Sequence, residues 1–173
     1  MRIIDTSSDF QSVYDDGKFN LDAWEIYIDR WIPNAKELCL RDMKDCINAG
    51  CSWDKDYVPV LNAVHTNHEK REETIRAFYE ISEHLEEKLT KVFGKSVDAD
   101  IVLYIGLCNG AGWVTKIQER TTVLLGIEKI IELDWCRKDD MIGLIIHELG
   151  HVYQSQYGSL SYQENSMAEK FLW

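Results

Sequence analysis

Asp139-Asp140-Met141-Ile142-Gly143-Leu144-Ile145-Ile146-His147-Glu148-Leu149-Gly150-His151-Val152-Tyr153-Gln154-Ser155-Gln156-Tyr157 is the stretch around which the chain is organised. Residues four apart lie one helical turn apart on the same face, so His147 and His151 can offer two imidazole nitrogens to one metal ion. Glu148 stands about 100° round the helix from His147, which sets its carboxylate beside such an ion, where it can take a proton from an activated water. The spacing therefore predicts a zinc-binding helix with Glu148 as general base and Zn2+ as the cofactor. Counting on from His147, Met141, Ile142, Ile145, Ile146, Leu149, Val152 and Tyr153 fall on the opposite side and predict a core face. Gly143 and Gly150 flank the histidines, and each glycine costs a helix roughly 1 kcal/mol relative to alanine, so close approach by a strand or a substrate is expected there. Asp139 or Asp140 is expected to cap the helix start.

Upstream of this helix the pattern changes twice. Leu21, Trp24, Ile28 and Trp31 have helical spacing, Pro33 interrupts, and Leu38, Leu40, Met43 and Ile47 resume it until Asn48-Ala49-Gly50. A second long helix is expected from Pro59 to Phe93, ended by Gly94. His65 and His68 lie on it in a strongly polar segment and read as a solvated face rather than as ligands. Residues 1 to 20 read as a polar entry with a short helix around Asp9 to Tyr14. From Ile101 to Leu107 the run is apolar and β-rich, and Thr121 to Gly126 and Ile130 to Leu133 follow as further short strands. The expected fold class is α+β: a helical N-terminal half, residues 1–95, followed by a small twisted β-sheet packed on the active-site helix, residues 96–173, the two forming one compact unit.

Between the first two strands lies Asn109-Gly110-Ala111-Gly112-Trp113. It lacks the G-x-G-x-x-G spacing and Lys-Ser/Thr ending of a phosphate loop. Its glycines let another backbone come close, which suits either an edge strand that pairs with an extended peptide or an ordinary turn.

Composition excludes several classes of function. A formal charge of −11 argues against a nucleic-acid or anionic-membrane surface. No run approaches a membrane span and the first residues lack the apolar core of a signal peptide, so a cytoplasmic protein is expected. Five cysteines without a C-x-x-C pair read as reduced packing residues.

With these residues in view, the chain resembles the zincin metallopeptidases, on the gluzincin side. A small sheet, an edge strand and then H-E-x-x-H are shared, and Asn109 to Trp113 is similar to the short edge segment that binds peptide backbone in thermolysin-like enzymes. The extended metzincin motif is excluded, because Gln154 and Tyr157 stand where it needs glycine and a third histidine. The run from Ile101 to Gln154, with the helical half, is most similar to uncharacterised bacterial proteins described as predicted zinc-dependent proteases. The resemblance implies a peptide or protein substrate, held at Asn109, Gly110, Ala111, Gly112 and Trp113, and a third, acidic metal ligand on a later helix. Glu169, eighteen residues after His151, has a suitable spacing, and Glu164 stands in a capping box with Ser161. The chain reaches Phe171-Leu172-Trp173 in what reads as mid-helix, which suggests a partial product, so the third ligand is expected first in a residue beyond Trp173, then at Glu169, then at Glu164. Tyr157 or Tyr162 is the expected donor to the oxyanion. Regulatory metallopeptidases of the ImmA/IrrE type share H-E-L-G-H followed by an acidic, alanine-containing helix. A non-catalytic zinc-binding or interaction module is the remaining alternative.

Overall fold

The computed structural model describes residues 1–158. It is a mixed α+β fold built on a four-stranded sheet. The strands are β1 (Arg2–Asp5), β4 (Asp100–Tyr104), β5 (Gly112–Ile117) and β6 (Arg120–Gly126), with a small hairpin of β2 (Tyr14–Asp15) and β3 (Lys18–Phe19) apart from them. The order across the sheet is β1-β4-β6-β5, with β1 and β6 parallel to β4 and β5 antiparallel to β6. β4 is buried along its whole length, as a strand covered on both faces must be. Its one charged residue, Asp100, sits between Arg2 of β1 and Arg120 of β6, bonding both. Burial pushes the Asp100 carboxyl up, but the two guanidiniums outweigh it and hold it at about 2.

The helices are α1 (Leu21–Trp31), α2 (Lys36–Asn48), α3 (Val58–Thr66), α4 (His68–Ser82), α5 (Leu85–Phe93), α6 (Ile127–Glu132) and α7 (Lys138–Tyr157). Asn20 caps α1 by accepting from the Ala23 amide at 3.0 Å, and the break expected at Pro33 separates α1 from α2. The single long helix expected from Pro59 to Phe93 is three helices. Asn67 ends α3 and caps α4, accepting from the Lys70 amide at 3.2 Å, and the chain turns again at Glu83-His84. Gly94 ends α5 in the left-handed conformation, φ 70°.

Two further expectations are corrected. Ile130 to Leu133 is not a strand: Ile127–Glu132 forms α6, whose Ile127, Ile130 and Ile131 are buried at helical spacing. Residues 1 to 20 are not only a polar entry. Arg2–Asp5 is a sheet strand, followed by a 3-10 segment over Ser7–Val13 that buries Phe10 and Val13.

α7 packs against α4, β5 and β6. Met141, Ile145, Leu149 and Val152 of its expected core face are buried, and so are Leu144 and Glu148, which face β5. Its N-cap is Arg137, whose Nε donates to Asp140 at 3.2 Å, so Asp139 and Asp140 lie in the first turn rather than at the cap. Tyr153 stacks on Phe93, ring centroids 5.0 Å apart. Among the described residues no helix is long and apolar enough to cross a membrane.

Candidate active site

The two imidazoles of α7 converge. Their Nε2 atoms stand 3.2 Å apart with the ring planes at 90°. Two nitrogens held ~2.0–2.1 Å from one tetrahedral zinc would stand roughly 3.3 Å apart, so the pair fits a shared ion. The same separation allows one Nε2–H to donate to the other ring when no metal is bound. Burial lowers the His151 pKa and His147 lowers it further, which favours the neutral imidazole that a metal requires.

Among the described residues no group of three or more His, Cys, Asp or Glu side chains is placed to hold a metal. Glu164, Glu169 and Tyr162 lie outside the described residues. Tyr157 donates its hydroxyl to the Ser96 carbonyl at 2.9 Å, beneath the Lys95 ammonium. His65 is turned to Gln11 at 3.1 Å and rests against Tyr14, far in sequence from this pair.

Glu148 is only 7% exposed. Burial raises its pKa above the usual carboxylate value, and the neighbouring His147 pulls it partly back. The reason for the burial is Gly112, the first residue of β5. A Cβ there would lie 2.8 Å from Glu148 Cγ and Oε1 and 2.9 Å from Leu144 Cδ1. Only glycine lets the strand lie this close to the helix. The close approach of a strand thus occurs at Gly112 and not at Gly143 or Gly150, where a Cβ meets nothing within 4 Å; Gly143 instead lines the open cleft.

A cleft of about 700 Å³ opens beside His147 and Glu148. One wall is α7, through Asp139, Asp140, Gly143 and Leu144. The second is Gly110, Ala111 and Gly112, and the third is Lys129 and Leu133 with Trp135 after α6. Leu133 and Trp135 are large apolar groups left 43% and 41% exposed, so this end of the cleft offers an apolar surface with carboxylates at its rim. A smaller hollow of about 250 Å³ adjoins His151, lined by Val114, Thr115, Lys116 and Thr121 opposite Val152, Ser155 and Gln156. β5 therefore runs alongside α7 in the same sense, from Glu148 past His151, and among the described residues it is one of the two edge strands of the sheet.

The five residues expected to bind substrate divide into two groups. Gly110, Ala111 and Gly112 line the cleft. Asn109 turns its amide to α2, donating to the Cys39 carbonyl at 3.1 Å and to Asp42 at 2.8 Å, while its Oδ1 accepts from the Leu107 amide. Trp113 donates its indole N–H to the Tyr104 hydroxyl at 3.1 Å. Sequence reasoning missed the apolar wall at Leu133 and Trp135, because it read Ile130 to Leu133 as a strand and gave Trp135 no role. It also missed Glu128, fully buried on α6, whose Oε2 accepts from the Gly106 amide at 2.9 Å and whose Oε1 accepts from Cys108 at 3.1 Å.

No protein-family profile, no curated protein and no solved structure matches this chain.

Proposed function

We propose that the chain is a zinc-dependent hydrolase of peptide bonds, a reading that keeps the gluzincin resemblance and rests on one observation. Two imidazole nitrogens stand 3.2 Å apart, His147 lining the larger cleft together with the buried carboxylate of Glu148 and His151 lining the smaller hollow. His147 and His151 would hold the ion, with Glu169 as the third ligand assigned from sequence. A zinc ion held there would supply a Lewis acid for the substrate carbonyl and would lower the pKa of water to about 7. Glu148 accepts a proton from the attacking water at a carboxylate oxygen and returns it to the leaving amine nitrogen. Its raised pKa brings it nearer the operating pH, which is what a proton shuttle needs. Among the described residues the outer edge of β5 has no strand beside it, and its backbone groups would there meet an extended peptide. The apolar cleft takes a bulky side chain on the Gly143 side of the scissile bond, and the hollow beside His151 takes a smaller or polar one.

The test is zinc affinity and peptide cleavage measured together for the unaltered chain, His147→Ala and Glu148→Gln. The expected result is tight stoichiometric zinc that His147→Ala loses and Glu148→Gln keeps, with cleavage lost in both. Cleavage of one protein partner and of no free peptide would move the reading to the ImmA/IrrE type. Unchanged biological activity in Glu148→Gln would leave a zinc-binding module without turnover.

A further inference from the structure

The segment Ile105–Ala111 joins the buried strand β4 to the edge strand β5, and backbone groups of Ile105, Gly106, Cys108 and Ala111 are held by residues distant in sequence. Ile105 donates its amide to the Tyr27 hydroxyl at 3.0 Å and accepts from the Trp24 indole at 2.8 Å. The next two turns wind round the Glu128 carboxylate, which accepts from Gly106 and Cys108 with one oxygen each. The fit is tight on every side: a Cβ on Gly106 would stand 2.6 Å from Glu128 Oε1, and one on Gly126 would stand 2.5 Å from the Gly110 carbonyl and 3.1 Å from the same Oε1. The Gly126 amide then bonds the Ala111 carbonyl at 3.0 Å. One residue later Gly112 lies on Glu148 and Leu144.

We infer that Glu128 is the positioning residue of the cleft, its carboxylate fixing the Gly106–Cys108 backbone so that Gly110–Gly112 and the start of β5 seat against Glu148 and present the peptide-binding edge. This rests on the hydrolase reading for its use, but not for its geometry. A buried carboxylate is costly unless its oxygens are bonded, and here both are satisfied by amides of the one loop that walls the cleft. Glu128 does not reach the histidines; it acts through the loop.

Native-state hydrogen exchange of the unaltered protein in low denaturant is the first measurement. Gly106, Cys108 and Gly126 are expected to exchange as one cooperative unit. Independent exchange of Gly126 overturns the inference. In Glu128→Gln, which retains one acceptor and turns an NH2 toward the second amide, the three amides should exchange at least ~10-fold faster, and the Trp113 indole resonance should shift. Release confined to Gly106 and Cys108, with Gly126 and Trp113 unmoved, also overturns it. Should that variant fail to fold, Gly106→Ala displaces the carboxylate from the loop side and carries the same expectation.

On an internally quenched peptide library, Glu128→Gln should raise KM about tenfold while kcat stays within roughly threefold, the pattern of lost substrate binding. An equal fall in kcat with KM unchanged contradicts a positioning role at the edge. A wild type that cleaves neither peptide nor protein sinks the hydrolase reading instead, and the exchange and indole readouts alone then decide the role of Glu128.

Discussion

The helix wall and the loop wall of the cleft are built on opposite principles. On α7 the two imidazoles and Glu148 follow one another at helical spacing, and a single element sets the distance between His147 and His151. Opposite it, Gly110–Gly112 is set by Glu128, Tyr27, Trp24, Cys39 and Asp42, which come from three helices. One wall is thus set by a local pattern, whereas the other needs the whole fold.

The largest effect that would sharpen this contrast is at Glu148. Glu148→Gln should lower kcat by ~1000-fold or more with zinc retained, because it removes the proton acceptor and little else. Retained turnover would break the assignment of chemistry to the helix wall. His147→Ala should weaken zinc at least ~100-fold by metal titration, since one of the two nitrogens is gone.

Gly112→Ala tests the seam between the walls. Its methyl group would overlap Glu148 and Leu144, so a loss of ~1–3 kcal/mol in denaturant-measured stability is expected along with reduced cleavage. Full stability in that variant would mean that the two walls are not in contact.

A pH series isolates the loop wall. Burial raises the Glu128 pKa to about 7, against the pull of its backbone donors and of Lys129, from an ordinary value of 4.5. The folded state therefore binds this proton more tightly than the unfolded state does. Glu128 contributes most below about pH 4.5, and that contribution is lost as the pH rises through 7. Relative to Glu128→Gln, the unaltered protein should lose on the order of 3 kcal/mol across this window, read from urea unfolding at each pH. Parallel curves would show that the carboxylate ionises as easily in the fold as out of it.

The smallest effect belongs to Gly143, where an added Cβ meets open space. Gly143→Ala should stabilise α7 by up to ~1 kcal/mol. Gly143→Leu should fold as well and raise KM for substrates with a bulky residue on that side.

What could be read from the sequence follows the same division. The apolar run at Ile101 gave itself away as a buried strand and that at Thr121 as a short strand, and the histidine spacing placed both rings on one face. β1 is only four residues long with two exposed, so it is defined by its partner β4 rather than by any pattern of its own. Ile130-Ile131 is too short an apolar run to tell a strand from a helix. The breaks at Asn67 and His84 were hidden because the apolar stripe of Phe78, Ile81, Leu85 and Leu89 continues through the second of them. Nothing marks a lone glutamate as a loop anchor until the loop is seen around it.

The pairing of β1 with β4 also bears on how the chain reaches its native state. Arg2 lies opposite Asp100, so the first strand must wait for five helices' worth of chain before it has a neighbour. Closing so long a segment has an entropic cost that local contacts do not share, and folding rates fall as the mean sequence separation of contacts grows. The helical segment should gain structure early and the sheet late, so that slow refolding tracks the burial of β4 and the cleft is among the last features to form.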